Sequence, residues 1–353
     1  MHPSVAFRTD DTEDWRLPLA GPGLLLEVPS TGRWSGRPSL HVEVTSRLRL
    51  RVSSGGQPLF WFRIDDYWDG CGVLRGTVST PWGLPPLSAA GVRGVPHEPG
   101  SSRWWEAWTW HMARELAQAT HPVLHAGRWC LRPLRIVTAR EAARYPCIPS
   151  CQPGSLPTPP HGLERLLQVE RFWTEDWHAG GVPAGVETNS GAVLPLRAPS
   201  REDDGRVKSW RKHAREGTLP PALLLYVDIV GKWCVLDGHD RLHAALLEGV
   251  SPPLLGLWPV FEEPIAVEAY RREGMWFAAE AQLRGRKGGP EGIDRANRTL
   301  LREYAGVQRV AVTQAWPVRG GLEAWRAEVL ACRRWNAFPV DARAWDWFAS
   351  LEE

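Results

Sequence analysis

Lysine is what this 353-residue chain has least of among its charged residues. Four of the 42 basic residues are lysines (Lys208, Lys212, Lys232, Lys287) and the rest are arginine. An excess spread this evenly reads as a compositional bias, not as a phosphate-binding signal. Net charge is small as well, +2 at neutral pH, and supplies no basic field of the kind that marks a nucleic-acid partner. No run approaches the roughly 18 apolar residues of a membrane span, and no signal-peptide pattern opens the chain. A cytoplasmic protein without a membrane partner is therefore expected. Cysteine is sparse: six in a chain this long do not make a disulfide framework. Cys147 and Cys151 have the spacing of half a zinc site, but no second Cys/His pair at ligand spacing follows, so free thiols are expected. No repeat recurs at a period of 20–50 residues.

Tryptophan, by contrast, is abundant. The 21 Trp are scattered along a chain whose 43% apolar and 23% charged content is otherwise ordinary, which points to core and groove-lining positions. Residues 1–22 read as a loose polar arm, and Leu24–Val28 as a first strand. Between Ser39 and Val52 the pattern alternates with period two. Leu40, Val42, Val44, Leu48, Leu50 and Val52 oppose His41, Glu43, Thr45, Arg47, Arg49 and Arg51, predicting a strand or bent pair with an Arg-rich outer face. Pro58–Ile64 and Gly72–Ser79 extend an antiparallel sheet.

Helical period takes over at Arg103–Ala119. There Trp105, Trp108, Met112, Leu116 and Ala119 form a stripe behind the capping candidates Ser101 and Ser102. Such a stripe could hold a ligand, but core packing is the ordinary fate of buried aromatics. Trp129–Val137 reads as a strand, and Thr138–Glu141 as a capping box.

Six prolines between Tyr145 and Pro160 mark a linker. The expected organisation is a β-rich module over 1–145, a linker over 146–160, a mixed α/β domain over 161–260 and a helical C-terminal extension over 261–353. The fold class is α+β. Further helices are expected at His161–Trp173, Val267–Leu283, Pro290–Ala305, Leu322–Trp335 and Asp341–Leu351, a Gly-rich loop at Thr174–Ala192, and a strand at Arg309–Ala315.

The most informative stretch is Gly231–Gly249, GKWCVLDGHDRLHAALLEG. Trp233–Leu236 is short and apolar enough for a buried strand, and Asp237-Gly238 breaks it. His239–Glu248 then reads as a helix with Gly249 as its terminator. A strand turning sharply into a helix converges unpaired backbone N–H groups and the positive end of the helix dipole on one point. Gly238 lets a ligand approach there, while His239 and Arg241 bring donors. That is the composition of an anion site, most often for phosphate. The same residues also suit a plain β–α turn with a surface arginine. Asp237 could orient His239, bind Mg²⁺ or act as a base, or could only form the turn. His239 and His243 share a helix face at two-His metal spacing, without an evident third ligand.

An aliphatic strand, DGHxR and a short Ala/Leu helix ending in Gly together resemble the signature of the ParB/sulfiredoxin superfamily. The flanks agree: Gly217-Thr218-Leu219-Pro220-Pro221 leads into the apolar Ala222–Val227, behind a helical Arg206–Glu216. The resemblance covers residues 193–260. It implies a mixed α/β domain whose turn (Gly238, His239, Arg241) holds the phosphates of a nucleoside di- or triphosphate with Mg²⁺. Partition proteins carry a Gly-Glu-Arg-Arg form followed by a helix-turn-helix, and sulfiredoxins a catalytic Cys within GCHR. DGHDR lacks both features and is similar to the free-serine-kinase branch. That likeness implies phosphoryl transfer to a small-molecule acceptor, with Glu202 as general base and Asp237 and His239 in the catalytic set. Apart from the resemblance, Glu202, Asp203 and Asp204 are an acidic helix N-terminus. A nucleotide-dependent switch, a protein-interaction module or a DNA-associated nuclease are the alternatives to an enzyme.

Overall fold

The computed structural model describes residues 6–10, 23–30, 36–47, 49–64, 71–75, 97–119, 121–137, 168–170, 186–187, 193–197, 200–230, 232–264, 307–335 and 348–350, with isolated positions at 84–95 and 273–280. The linker prolines, Cys147, Cys151 and the capping box at 138–141 lie outside them, as does most of the helices expected at 161–173, 267–283, 290–305 and 341–351.

Among the described residues the fold is α+β, with fifteen strands in two sheets and four helices. The larger sheet has the order β1 (Ala6–Asp10), β2 (Gly23–Val28), β7 (Gly127–Val137), β13 (Leu254–Pro264), β11 (Ala222–Val227), β12 (Lys232–Asp237) and β10 (Val193–Pro195). Two further strands attach to it: β8 (Gln168–Glu170) on β7, and β14 (Val307–Ala311) on β13. Pairing is antiparallel from β1 to β13, parallel between β13 and β11, antiparallel to β12 and parallel again to β10. The smaller sheet runs β15 (Ala315–Pro317), β3 (Leu40–Val44), β4 (Arg49–Ser54), β5 (Gln57–Ile64), β6 (Cys71–Arg75) and β9 (Val186–Glu187).

Several expectations change in this frame. Ala6–Asp10, read as part of a loose arm, pairs with β2. Gln168–Glu170, read as helix, is extended on β7, and Val186–Glu187, read as loop, pairs with β6. In the C-terminal extension, the strand expected at Arg309–Ala315 is present as β14 (Val307–Ala311), and a further strand, β15, follows it. Strands from either side of the 146–160 segment hydrogen-bond in one sheet: β7 pairs with β13 from Leu134↔Leu254 to Arg128↔Val260.

The stretches Ala222–Leu225 of β11, Trp233–Leu236 of β12 and Leu254–Trp258 of β13 are apolar because both of their faces are covered. Leu223, Cys234, Leu236, Leu255 and Leu257 face a core that also contains Leu50, Phe60 and Phe62 of the smaller sheet. Ala222, Leu224, Trp233, Val235, Leu254 and Trp258 face the other way, towards Leu242. The first core is completed by α1 (Ser102–Gln118), capped by Ser101 Oγ accepting from Trp104 N and lying on β2 and β7. Its Trp105, Trp108, Met112 and Leu116 are buried, so the aromatic stripe is core.

The hairpin β3–β4 appears where the alternation placed it, but its charged face is not open. Glu43 and Arg49 are 2% and 5% exposed. The helix α4 (Gly321–Trp335) covers that side: Trp325 Nε1 donates to Leu50 O at 2.8 Å, and Glu328 accepts from Arg51 and, at 3.0 Å, from Trp61 Nε1. No described helix is long and apolar enough to cross a membrane.

Candidate functional site

β12 ends at Asp237, Gly238 turns the chain, and α3 (His239–Leu247) begins. Gly238 has φ +100° and ψ 19°, left-handed backbone that a side chain resists. A Cβ there would stand 2.7 Å from Ala222 Cβ and 2.9 Å from Arg241 Nη2. The space opened by glycine is thus occupied by Arg241, not held open for another molecule. No side chain caps α3, so its first N–H groups depend on whatever else reaches them.

Arg241 does not sit at the surface as expected; it is 1% exposed. The i,i+4 spacing carries its guanidinium back over the turn, where Nη2 donates to Asp237 Oδ2 at 2.7 Å and to Pro221 O at 3.0 Å. The guanidinium carbon lies 5.6 Å from the Trp210 ring centroid, within cation–π range. Nε and Nη1 are buried and have no hydrogen-bond partner. Leaving donors of a buried cation unpaired costs free energy, which makes these two nitrogens the unusual feature of the turn.

His239 is 2% exposed and its Nε2 accepts from Arg197 N at 3.3 Å. His243 is also buried. Asp237 retains 15% side-chain exposure and its carboxylate is engaged with Arg241. Among the described residues no group of three or more His, Cys, Asp or Glu side chains is placed to hold a metal ion, so Asp237 and the His239/His243 pair form no such group with other described residues. Glu202 lies in an exposed turn. Asp203 beside it pairs with Arg201, and Asp204 caps the helix α2 (Gly205–Arg215) by accepting from Arg206 N at 2.7 Å.

Asp240 is the residue that sequence reasoning missed. It is 3% exposed and gathers the loop before α2: Arg197 donates through both Nη groups at 3.3 and 3.1 Å, Ser200 N donates at 2.9 Å, and Arg206 Nε stands 3.3 Å away. Burial alone would raise its carboxyl pKa, but the Arg197 hydrogen bonds and the Ser200 N–H outweigh it and hold the group below its ordinary value. Through this one carboxylate, the loop carrying Glu202 is fastened to the first turn of α3. An acidic residue after DGH was visible in the sequence; its burial was not. At the far end of α3, Glu248 accepts from Arg211 at 2.5 Å and Arg215 at 2.8 Å, locking α2 to α3.

From the other side comes His111 on α1, whose imidazole feels both Asp237 and Arg241. Burial pushes its pKa below the ordinary value, against a weaker upward pull from Glu115. Trp210 of α2 and Pro221, just before β11, thus flank the turn, with His111 of α1 within electrostatic reach.

No protein-family model, no curated protein and no solved structure matches the chain.

Proposed function

We propose that the Asp237–Arg241 turn is a phosphate site in a ParB/sulfiredoxin-like domain, and that the protein binds a nucleoside di- or triphosphate with Mg²⁺. The observation that carries this reading is the buried Arg241 guanidinium, with Nε and Nη1 uncommitted beside an uncapped helix start. Charge-assisted hydrogen bonds to such donors, added to the helix dipole, favour an anion of phosphate geometry. With no cluster of protein ligands for a metal among the described residues, Mg²⁺ would arrive on the nucleotide, as is usual for this ion.

The activity that follows is phosphoryl transfer to a small hydroxyl or amine acceptor. The acceptor atom attacks the terminal phosphorus, the bond to the bridging oxygen breaks, and the nucleotide leaves one phosphate shorter. Glu202, two residues beyond the anchored Ser200, would take the proton of the acceptor, while the turn stabilises charge. A second reading rests on the Asp237–Arg241 pair itself: the arginine is already neutralised, as a non-catalytic switch or interaction module would need. Calorimetry of ADP, ATP, CTP and GTP with Mg²⁺ tests the first reading. Binding of at least one below about 1 mM is expected, and failure of all four removes the nucleotide. Turnover separates the two readings. Glu202→Gln should abolish product from labelled nucleotide while sparing binding; nucleotide binding coupled to a change of oligomeric state, with no product, favours the switch.

A further inference from the structure

A cavity of about 380 Å³ opens beside α2, lined by residues outside the DGH turn, and neither the resemblance nor the phosphate reading uses it. Its volume lies within the range of small-molecule sites. One wall is a single face of α2, since Arg206, Trp210 and His213 recur at the helical spacing. The rest of the described lining is Leu87, Val92 and Arg93, of which Leu87 and Val92 pack against the small cluster around Trp210.

The lining has a definite chemical character. Among the described residues it contains two guanidinium groups and an imidazole, and no carboxylate. Asp240 is shared between Arg206 and Arg197, and Asp204 accepts from the Arg206 backbone N–H at 2.7 Å, so these two negative charges stand against the three positive ones of Arg93, Arg197 and Arg206. Positive charge therefore remains at the cavity. Trp210 is 6% exposed, lies 5.5 Å from the His213 ring and has an indole N–H without a hydrogen-bond partner. Leu87, Val92 and the indole make an apolar slot, while Arg93 and Arg206 provide charge.

We propose that this cavity is a second ligand site, and that it takes a small organic anion: a flat apolar ring carrying a carboxylate or phosphate. The ring lies among Trp210, Leu87 and Val92, and the anionic group meets Arg93 and Arg206. This assignment does not depend on the nucleotide reading, because its residues do not include the DGH turn.

The test uses the full chain with three probes of one size: benzoate, neutral phenol and cationic benzylamine. Saturation-transfer NMR followed by titration is expected to show benzoate bound at least about ten-fold more tightly than phenol, with benzylamine unbound. Arg93→Glu should weaken benzoate by at least about ten-fold, and Ser209→Trp, which plugs the slot from the same α2 face, should abolish it. Both positions are exposed, so both variants should keep the wild-type circular dichroism and melting temperature. Should Ser209→Trp fail that check, Arg93→Glu decides alone. Equal affinity for benzoate and phenol overturns the proposal. So does benzoate binding that Arg93→Glu leaves intact, and so does an absence of saturation transfer from both benzoate and phenyl phosphate at about 10 mM. Phenyl phosphate in parallel reports which anionic group is preferred. Its binding, with benzoate inactive, retains the site and narrows the ligand to phosphate esters.

Discussion

Arg241 holds together three things: Asp237 one helical turn away, and the more distant carbonyl of Pro221 and Trp210 ring. Removing one partner of a buried ion pair costs roughly 3–5 kcal/mol. Asp237 keeps 15% exposure and can rehydrate in part, so Arg241→Ala is expected to destabilise the fold by about 3 kcal/mol, seen as a lower urea midpoint. Nucleotide affinity measured on the folded fraction of the same preparation should fall by about ten-fold or more, with only partial recovery in Arg241→Lys. A large stability loss with unchanged affinity would make Arg241 a purely structural residue. Two buried carboxylates set the acid limb. Burial raises both, but their arginine and hydrogen-bond partners prevail: Asp240 is held below its ordinary value, and Glu43, bonded to His41, Arg51 and Ser53, well below the carboxylate range. A carboxyl whose folded pKa is depressed contributes stability that is present above its unfolded pKa of about 4 and is lost as pH falls through the folded value. Thermal melts should therefore be insensitive to these groups between about pH 5 and 7 and decline below about pH 4. In Glu43→Gln the melting temperature should be lower at neutral pH, and that acid decline should be shallower. An unchanged acid limb would show that Glu43 does not contribute to it.

At the scale of elements, the β12–α3 joint depends on one missing Cβ. Gly238→Ala meets both the positive φ and the contacts at 2.7 and 2.9 Å. Backbone strain of about 1–2 kcal/mol adds to displacement of Ala222 or Arg241. A total loss of at least about 2 kcal/mol is expected in chemical denaturation, whereas Gly249→Ala, also at positive φ (64°) but with nothing within 4 Å, should show the strain alone. Equal losses at the two positions would show that packing at Gly238 is slack. The loop before α2 is held to α3 by Asp240, so Asp240→Asn is expected to raise amide hydrogen exchange at 197–204 by about ten-fold or more while leaving β11–β13 protected. Uniform protection in both elements would refute the tether.

At the scale of the molecule, β13 receives β7 on one side and β11 on the other. A fragment comprising 161–353 would leave the β13 edge from Leu254 to Val260 unpaired and expose the core face that α1 and the smaller sheet cover. Such edges aggregate. The fragment is expected to be insoluble or to lack dispersed amide resonances, while co-expressed 1–145 should rescue it in part. A well-folded 161–353 fragment would show that the larger sheet does not need its N-terminal strands.

Local patterning was enough for much of this. Period-two alternation over 40–52, the tryptophan stripe of 103–119 with its serine cap, and the strand–Asp-Gly–helix grammar of 233–249 each depend on neighbours a few residues away, and each element formed where its pattern lay. The candidate turn was legible for the same reason: only glycine suits φ +100° between a strand and a helix. What tertiary structure alone decided is what lies against each element. Whether the face of Glu43 and Arg49 meets water or α4 depends on a helix nearly 300 residues away. Whether Arg241 reaches into solvent or folds onto Pro221 and Trp210 depends on β11 and α2. That Asp240 is the anchor of a loop, and not a solvated helix acid, depends on Arg197 and Arg206 arriving from another part of the chain. Burial and charge pairing are properties of packed surfaces, and a residue's own neighbours in sequence do not carry them.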